Sequence, residues 1–418
     1  MNKQKPQTLK GFRDFLPEQM KIRNQVIKTF VSVFEDFGFE PLETPALEYA
    51  EVLLGKYGAE ADKLVYTFKD KGKRQVGLRY DLTVPTSRVL AQYQNELKLP
   101  FKRYQIQPVW RAEKPQKSRY REFTQCDVDT FGVNSVLADA EIIAVIYQAL
   151  KKLGFEKFTI KINSRQVLFS LLEKLGVKNQ GQQFLILQII DKLEKIGKTG
   201  AEQELLTKGF DKDFISRAFK VLAEAGPDKD LSQLFGFLND FEVDKNYYQF
   251  TPFLVRGLDY YTGPIFETYV EKPKIGSITG GGRYDNLINQ LGGPEIPATG
   301  TTIGLDRICD VIEETGLWKQ KIKEQSKVLI TIFDNNFVNE SIKLFSWLKQ
   351  KKINVLLYPN PEDSLAKQIK YADNKKIPAI VILGSEEIKD NCVSVRWLES
   401  GKQEKVKKND LIKKFTPH

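Results

Sequence analysis

Arg119, Arg121, Phe123, Gln125, Asp127 and Asp129 stand at alternating positions in the stretch Arg111 to Gly132, RAEKPQKSRYREFTQCDVDTFG. On a strand such residues share one face. That face would present a cation, an aromatic ring, an amide and carboxylates in order. Phe123 to Asp129 spans about 20 Å at strand rise, enough to underlie an extended ligand with one anionic end and one cationic or hydrogen-bonding end. For the alternation alone, an ordinary exposed strand of an antiparallel sheet is the simpler reading. The preceding run Phe101 to Trp110, FKRYQIQPVW, is β-prone, so the two segments predict a pair of long strands joined by a charged loop near 112–118.

Three further stretches carry polar residues at turns. In RYDLTVPTSRVLAQY, Asp81 and Thr83 sit at a strand end and Pro85 opens a helix. A carboxylate and a hydroxyl there could hold an ammonium group. Helix capping, worth about 1 kcal/mol, explains them equally well. In LVRGLDYYTGPIFETYV, residues 254–270, Arg256, Asp259, Tyr260 and Tyr261 crowd a turn before a strand. In SITGGGRYDNLINQLGG, residues 277–293, three consecutive glycines let a backbone approach a ligand or another strand. No GK[ST] follows, so this is not a P-loop. ATGTTIGLDRICDVIEE then predicts a strand, Thr299 to Ile303, running into a helix with Arg307 in its first turn. Solvation alone is the usual fate of such an arginine.

Composition narrows the chemistry. The single histidine is the last residue, His418, which leaves no Ser-His-Asp or Cys-His device and no histidine metal site in the body of the chain. Any reaction must run on arginine, lysine, carboxylates, tyrosine and backbone groups. Cys126, Cys309 and Cys392 are far apart and form no CxxC pair, which suggests reduced thiols. No apolar run approaches a membrane span and the first residues have no apolar signal core, so a cytoplasmic protein with no membrane partner is expected. Of the net charge of +10, most lies in residues 319–418, with 20 Lys+Arg against 12 Asp+Glu. That asymmetry suits a polyanion such as nucleic acid, or simply a lysine-rich surface.

The elements that must position these residues follow from periodicity. Ile22, Val26, Ile27, Phe30, Val33, Phe34 and Phe37 form an apolar helical stripe over Gln19 to Phe37, stopped by Gly38, and a strand is expected over Phe39 to Thr44. Tyr66 to Phe68 and Val76 to Arg79 predict paired strands around a turn at Asp70 to Lys73. A helix over Asp139 to Leu153 and a strand over Phe158 to Ile162 come next. Residues 163–244 have little β character and glycine stops at Gly176, Gly197 and Gly226, reading as a helical insertion. After a charged linker, Lys319 to Ser326, βαβ signals recur with no catalytic motif, which favours a binding module.

Taken together, these stretches resemble the histidyl-tRNA synthetases, a family of class II aminoacyl-tRNA synthetases. TLKGFRDFLPEQ and the helix–strand ending at Pro45 resemble its N-terminal segment and motif 1. Arg111 to Gly132 resembles motif 2 and GTTIGLDRI motif 3. LVRGLDYYTG and GGGRYDNLINQLGG resemble two peptides peculiar to the histidine enzymes.

The resemblance implies an α+β fold: an antiparallel class II sheet flanked by helices over residues 1–322, a helical insertion at about 165–248, and an α/β anticodon-binding domain over 327–418. It implies a homodimer built through motif 1, with ATP and Mg2+, L-histidine and tRNA as ligands. By position, Arg111 corresponds to the motif 2 arginine on the α-phosphate and Glu113 to the loop carboxylate reading the adenine amino group. Arg119 corresponds to a contact to the outer phosphates, Phe123 to the ring on adenine, and Arg307 to the motif 3 arginine on the γ-phosphate. Arg256 is placed like the arginine facing the α-phosphate from the other side. Asp81, Thr83 and Gln125 correspond to the grip on the ammonium and carboxylate of histidine. Asp129 and Tyr261 correspond to the pair reading the imidazole, with Tyr260 and Tyr284 lining the pocket. Lys117 and Arg119 lie near where a tRNA acceptor end would enter. The chain departs from the commoner pattern at Asp306, Asp81 and Asp129, where glutamate is more usual. A non-catalytic, synthetase-like regulatory paralogue that binds histidine or RNA is the alternative; such proteins lose motif residues that are present here.

Overall fold

The computed structural model describes residues 6–54, 64–114, 119–256, 260–318 and 328–415. The linker expected at Lys319 to Ser326, and Lys117, Asp259 and His418, lie outside them. The chain divides into two compact units, Met1–Leu317 and Trp318–His418. Among the described residues no helix is long and apolar enough to cross a membrane.

The first unit holds β1 (Glu40–Pro41), β2 (Leu47–Tyr49), β3 (Thr67–Lys69), β4 (Gln75–Leu78), β5 (Phe101–Trp110), β6 (Glu122–Phe131), β7 (Phe158–Ser164), β8 (Tyr248–Phe250), β9 (Pro264–Val270), β10 (Thr279–Arg283) and β11 (Ala298–Gly304). Eight of them form one sheet in the order β1-β5-β6-β11-β10-β9-β7-β8. Its interior pairings are antiparallel, and the two outermost, β1 with β5 and β7 with β8, are parallel. The long hairpin expected from the sequence is β5–β6, paired from Phe101 opposite Phe131 to Trp110 opposite Glu122. The strand expected over Phe39 to Thr44 is only Glu40–Pro41. Pro41 and Pro45 have no N–H to give a ladder, and after one further bond from Leu42 N–H to Tyr104 O the chain turns away. There the carbonyls of Thr44 and Pro45 receive the buried guanidinium of Arg79. β2, β4 and β3 form a separate small sheet, with β3 and β4 joined at the expected turn, where Lys73 has φ 62°.

Helices cover the large sheet. Pro17–Asp36 buries Val26, Phe30, Val33 and Phe34 and ends before Gly38, whose φ of 76° needs a residue without a side chain. Val136–Leu153 is capped by Ser135 and stopped by Gly154. Within it the buried Asp139 pairs with Arg283 of β10, 2.5 Å from Nη2, and accepts from Thr299 of β11 at 2.7 Å. This ties the helix to the two strands that line the site. The insertion consists of helices Arg165–Lys174, Gln180–Asp191, Leu193–Thr207, Lys212–Ala223 and Lys229–Asp240. Gly197, at φ 70°, breaks the third of these internally.

The second unit has β12 (Val328–Ile330), β13 (Val355–Leu357), β14 (Ala379–Ile382), β15 (Cys392–Trp397) and β16 (Gln403–Lys407) in the order β13-β12-β14-β15-β16. β12 is parallel to both neighbours, and β15 and β16 add antiparallel. Helices Val338–Gln350 and Leu365–Asn374 follow β12 and β13, as the βαβ signals predict.

Without Asp139 the buried Arg283 loses its 2.5 Å counter-charge and keeps the longer 3.3 Å contact to the more exposed Asp285. Asp139→Ala is expected to cost about 3–5 kcal/mol of unfolding free energy, measured by urea denaturation. A loss below 1 kcal/mol would mean that the pair does not tie the helix to the sheet.

Candidate active site

One cavity in the first unit is lined by all thirteen site residues expected from the sequence: Asp81, Thr83, Arg111, Glu113, Arg119, Phe123, Gln125, Asp129, Arg256, Tyr260, Tyr261, Tyr284 and Arg307. β6 supplies its floor. Phe123, Gln125, Asp127 and Asp129 face the cavity as alternation requires. Arg121, which precedes the strand, does not. Its N–H donates to Gly11 O at 2.9 Å and its Nε to Glu113 O at 2.9 Å, which fastens it to the N-terminal segment.

One half of the cavity is cationic. Arg111, just beyond β5, donates from Nε to Tyr80 O at 3.0 Å, with its guanidinium 5.0 Å from the centre of the Phe123 ring. Arg307, in the first turn of helix Leu305–Thr315, donates to Ser277 O. Burial first, and then the positive charges of Arg119 and Arg111, hold its pKa below the ordinary value against the opposing pull of Glu267. Arg119 is half exposed and ion-paired to Glu113 at 2.6 Å. Arg256 contacts the carboxylate of Glu267 and faces Tyr261 Oη at 3.4 Å. Burial pulls against the Arg256 charge, yet Tyr261 and Glu267 carry its pKa above the ordinary value. Several guanidiniums at one end of a cleft make a site for an oxyanion.

The other half is acidic. Asp81, Asp127 and Asp129 are all buried, and the latter two converge on Arg103, itself fully buried. Arg103 Nη2 lies 2.8 Å from Asp129 and 3.9 Å from Asp127. Tyr284 donates its hydroxyl to Asp129. The glycine at position 300 on β11 makes room for this carboxylate: a Cβ there would lie 2.6 Å from Val128 O and closer still to Asp129. Asp81 accepts from Val84 N–H at 3.1 Å, so it caps the helix Thr83–Gln92 while facing the cavity. Burial pushes Asp81 up to about 6. It pushes Asp127 and Asp129 up as well, against the pull of Arg103. Gln125 Oε1 and Asp127 Oδ1 are buried and have no hydrogen-bond partner among the described residues. Such acceptors suit a ligand bringing N–H donors and positive charge.

Sequence reasoning missed Arg103, any role for Asp127 beyond its place on the ligand-facing side of the strand, and Glu267. The hairpin register contained a signal for the first two, because Arg103, Gln105 and Gln107 stand opposite Asp129, Asp127 and Gln125. It also missed what Asp306 does. That carboxylate accepts from Arg13 at 2.5 Å, Arg23 at 2.9 Å and Thr124 N–H at 2.9 Å, locking the start of β6 beside Phe123.

The family model for histidyl-tRNA synthetase matches residues 11–308, and the anticodon binding domain model matches residues 327–417. The histidine–tRNA ligase of Cytophaga hutchinsonii is 37% identical, covering 99% of this chain and 100% of that one. That of Christiangramia forsetii is 38% identical, covering 98% of each. The crystal structure of histidyl-tRNA synthetase from Nostoc sp. superposes with a TM-score of 0.84 at 27% identity, covering 99% of both chains. A Bacillus halodurans protein described as an ATP phosphoribosyltransferase regulatory subunit/histidyl-tRNA synthetase shares the fold, with a TM-score of 0.74 at 23% identity over 90% of this chain and 97% of that one.

The raised Asp81 carboxyl sets a direction for stability. Between its ordinary value of 3.8 and about 6 the folded protein keeps a proton that the unfolded chain has released. Its contribution therefore falls as pH rises through that window and is constant above it. Asp81→Asn keeps the cap acceptor and removes the titration. The mutant's stability relative to wild type is expected to rise from pH 4 to 6 by on the order of 2 kcal/mol and then level off, read from urea midpoints. A flat difference across that range would refute the burial argument.

Proposed function

This chain belongs to the histidyl-tRNA synthetase family and ligates histidine to tRNA, and on that premise we propose how its own side chains carry the reaction. ATP is the co-substrate. In the first step the histidine carboxylate attacks the α-phosphorus, an O–P bond forms, the α–β bridge breaks and pyrophosphate leaves. The nucleophile is ionised at neutral pH, so no general base is needed. A chain with no histidine before its last residue can therefore do this chemistry. The step needs placement and neutralisation of phosphoryl charge.

Arg111 and Arg256 brace the α-phosphate from two sides, Arg307 and Arg119 take the outer phosphates, and Phe123 carries the adenine. Glu113 exchanges its ion pair with Arg119 for the adenine amino group. The nucleotide enters as its Mg2+ complex, with phosphate oxygens as the main ligands. Asp81, Thr83 and Gln125 hold the ammonium and orient the carboxylate. Asp129, with Tyr261 and the walls Tyr260 and Tyr284, reads the imidazole. The unpartnered acceptor on Asp127 belongs to the same grip. In the second step a terminal ribose hydroxyl of tRNA attacks the activated carbonyl and AMP leaves.

The observation that carries this reading is the meeting, in a single cavity, of four arginines at one end with three buried aspartates at the other. Histidine adenylate has the matching polarity, with an anionic phosphate at one end and an ammonium and imidazole at the other. The C-terminal unit grips the anticodon stem through phosphates, with a steep salt dependence. Helix Pro17–Asp36 and the strand after it form the interface of a homodimer, and the protein works in the cytoplasm.

The direct test is ATP–pyrophosphate exchange without tRNA across the twenty amino acids, where only histidine should support exchange. A regulatory paralogue would give none. Arg111→Ala or Arg256→Ala is expected to lower the exchange rate by about 10²–10³-fold. Asp129→Ala should raise the histidine KM by well over tenfold, because buried partners are left unpaired. An unchanged KM would remove Asp129 from the pocket assignment.

A further inference from the structure

The three glycines of β10 are bare for different reasons. A Cβ on Gly281 would meet Gly300 O and the Thr301 backbone, and one on Gly282 would lie 2.6 Å from Pro264 O. Both positions are closed by neighbouring main chain. At Gly280 the nearest three atoms all belong to the guanidinium of Arg256, with Cζ at 2.7 Å, Nη2 at 2.8 Å and Nη1 closer. The guanidinium occupies the volume that a side chain at 280 would fill. Gly280 stands directly opposite Glu267 of β9, whose carboxylate contacts Arg256 Nη1. Glu267 is in turn fixed by the Tyr269 hydroxyl, which donates to Oε2 at 2.5 Å. From the backbone side, Arg165 Nη2 donates to Arg256 O at 2.5 Å.

We propose that Gly280 and Glu267 form the seat of Arg256 and act as positioning residues for adenylate formation. The vacant side-chain place at 280 sets the depth of the guanidinium and the carboxylate at 267 sets its heading. This rests on the assignment of Arg256 to the α-phosphate. Gly280 is not among the glycines with positive φ, so alanine there strains no backbone. What it displaces is the far end of one flexible side chain. The fold therefore survives Gly280→Ala, and the cost falls on the placement of Arg256. A shift of about 1 Å in such a group is worth on the order of 10²-fold in rate.

The test is a double-mutant cycle in the full-length enzyme, read by histidine-dependent ATP–pyrophosphate exchange. Gly280→Ala is expected to lower kcat by about 10²-fold and leave the histidine KM within about threefold. In the Arg256→Ala background the same change should cost less than about twofold, because the displaced group is gone. Glu267→Gln, which keeps the shape of the side chain, should lower kcat about tenfold or more with Arg256 present and little without it. Equal losses in both backgrounds would make the two residues merely structural and overturn the proposal. So would a wild-type rate in Gly280→Ala and Glu267→Gln while Arg256→Ala is slow. A wild-type rate in Arg256→Ala itself would instead overturn the assignment of that arginine.

Discussion

Opposite charges buried in one cleft must be kept apart, and the rest of the structure serves that separation. A buried charge is tolerable only when it is paired and hydrogen-bonded. Here Arg103 sits among the aspartates of β6, and Glu267 sits beside Arg256. Each half of the cleft thus contains a counter-charge of its own, which limits the cost of the ligand-free state. The compensation is incomplete in both halves. The aspartates have shed part of their acidity and Arg307 part of its basicity, so each half is completed by a ligand group of the opposite sign.

The sheet is what allows such groups to sit so close. β10 and β11 carry glycine where a side chain would collide with Arg256, with Asp129 or with the next strand. Glycine weakens strand interiors. The surrounding ties compensate: the Asp139–Arg283–Thr299 network anchors both strands to the helix behind them. Rigidity at the back of the sheet is thus coupled to close approach at its front, and the guanidiniums of Arg111, Arg256 and Arg307 are each held by a protein acceptor.

Much of this was legible in the sequence, because it depends on periodicity and local chemistry. The helix ending at Gly38, the β5–β6 hairpin, the helical insertion and the alternating βαβ signals of the second unit all follow from spacing and from glycine placement. The thirteen cavity residues lay in short peptides with distinctive polar content. What the sequence concealed were pairings across long separations. Arg13 and Arg23 reach Asp306, and Glu267, part way along β9, reaches back to Arg256 ahead of that strand. Nothing local marks those residues, since a surface arginine and a strand glutamate look the same before the chain is folded. The short β1 was hidden for another reason: Pro41 and Pro45 outweighed an otherwise β-prone run.

The N-terminal segment has a role that its position on the chain conceals. Gly11 accepts from the Arg121 amide, and the guanidinium of Arg13 lies 3.3 Å from the centre of the Tyr120 ring while pairing with Asp306. Tyr120 and Asp306 both line the cavity, beside Phe123 and Arg307. The stretch holding Gly11 and Arg13 therefore braces the wall of the cavity from outside it. On the reading proposed above, a change at Gly11 or Arg13 reaches the surroundings of the nucleotide, however far away it looks along the chain.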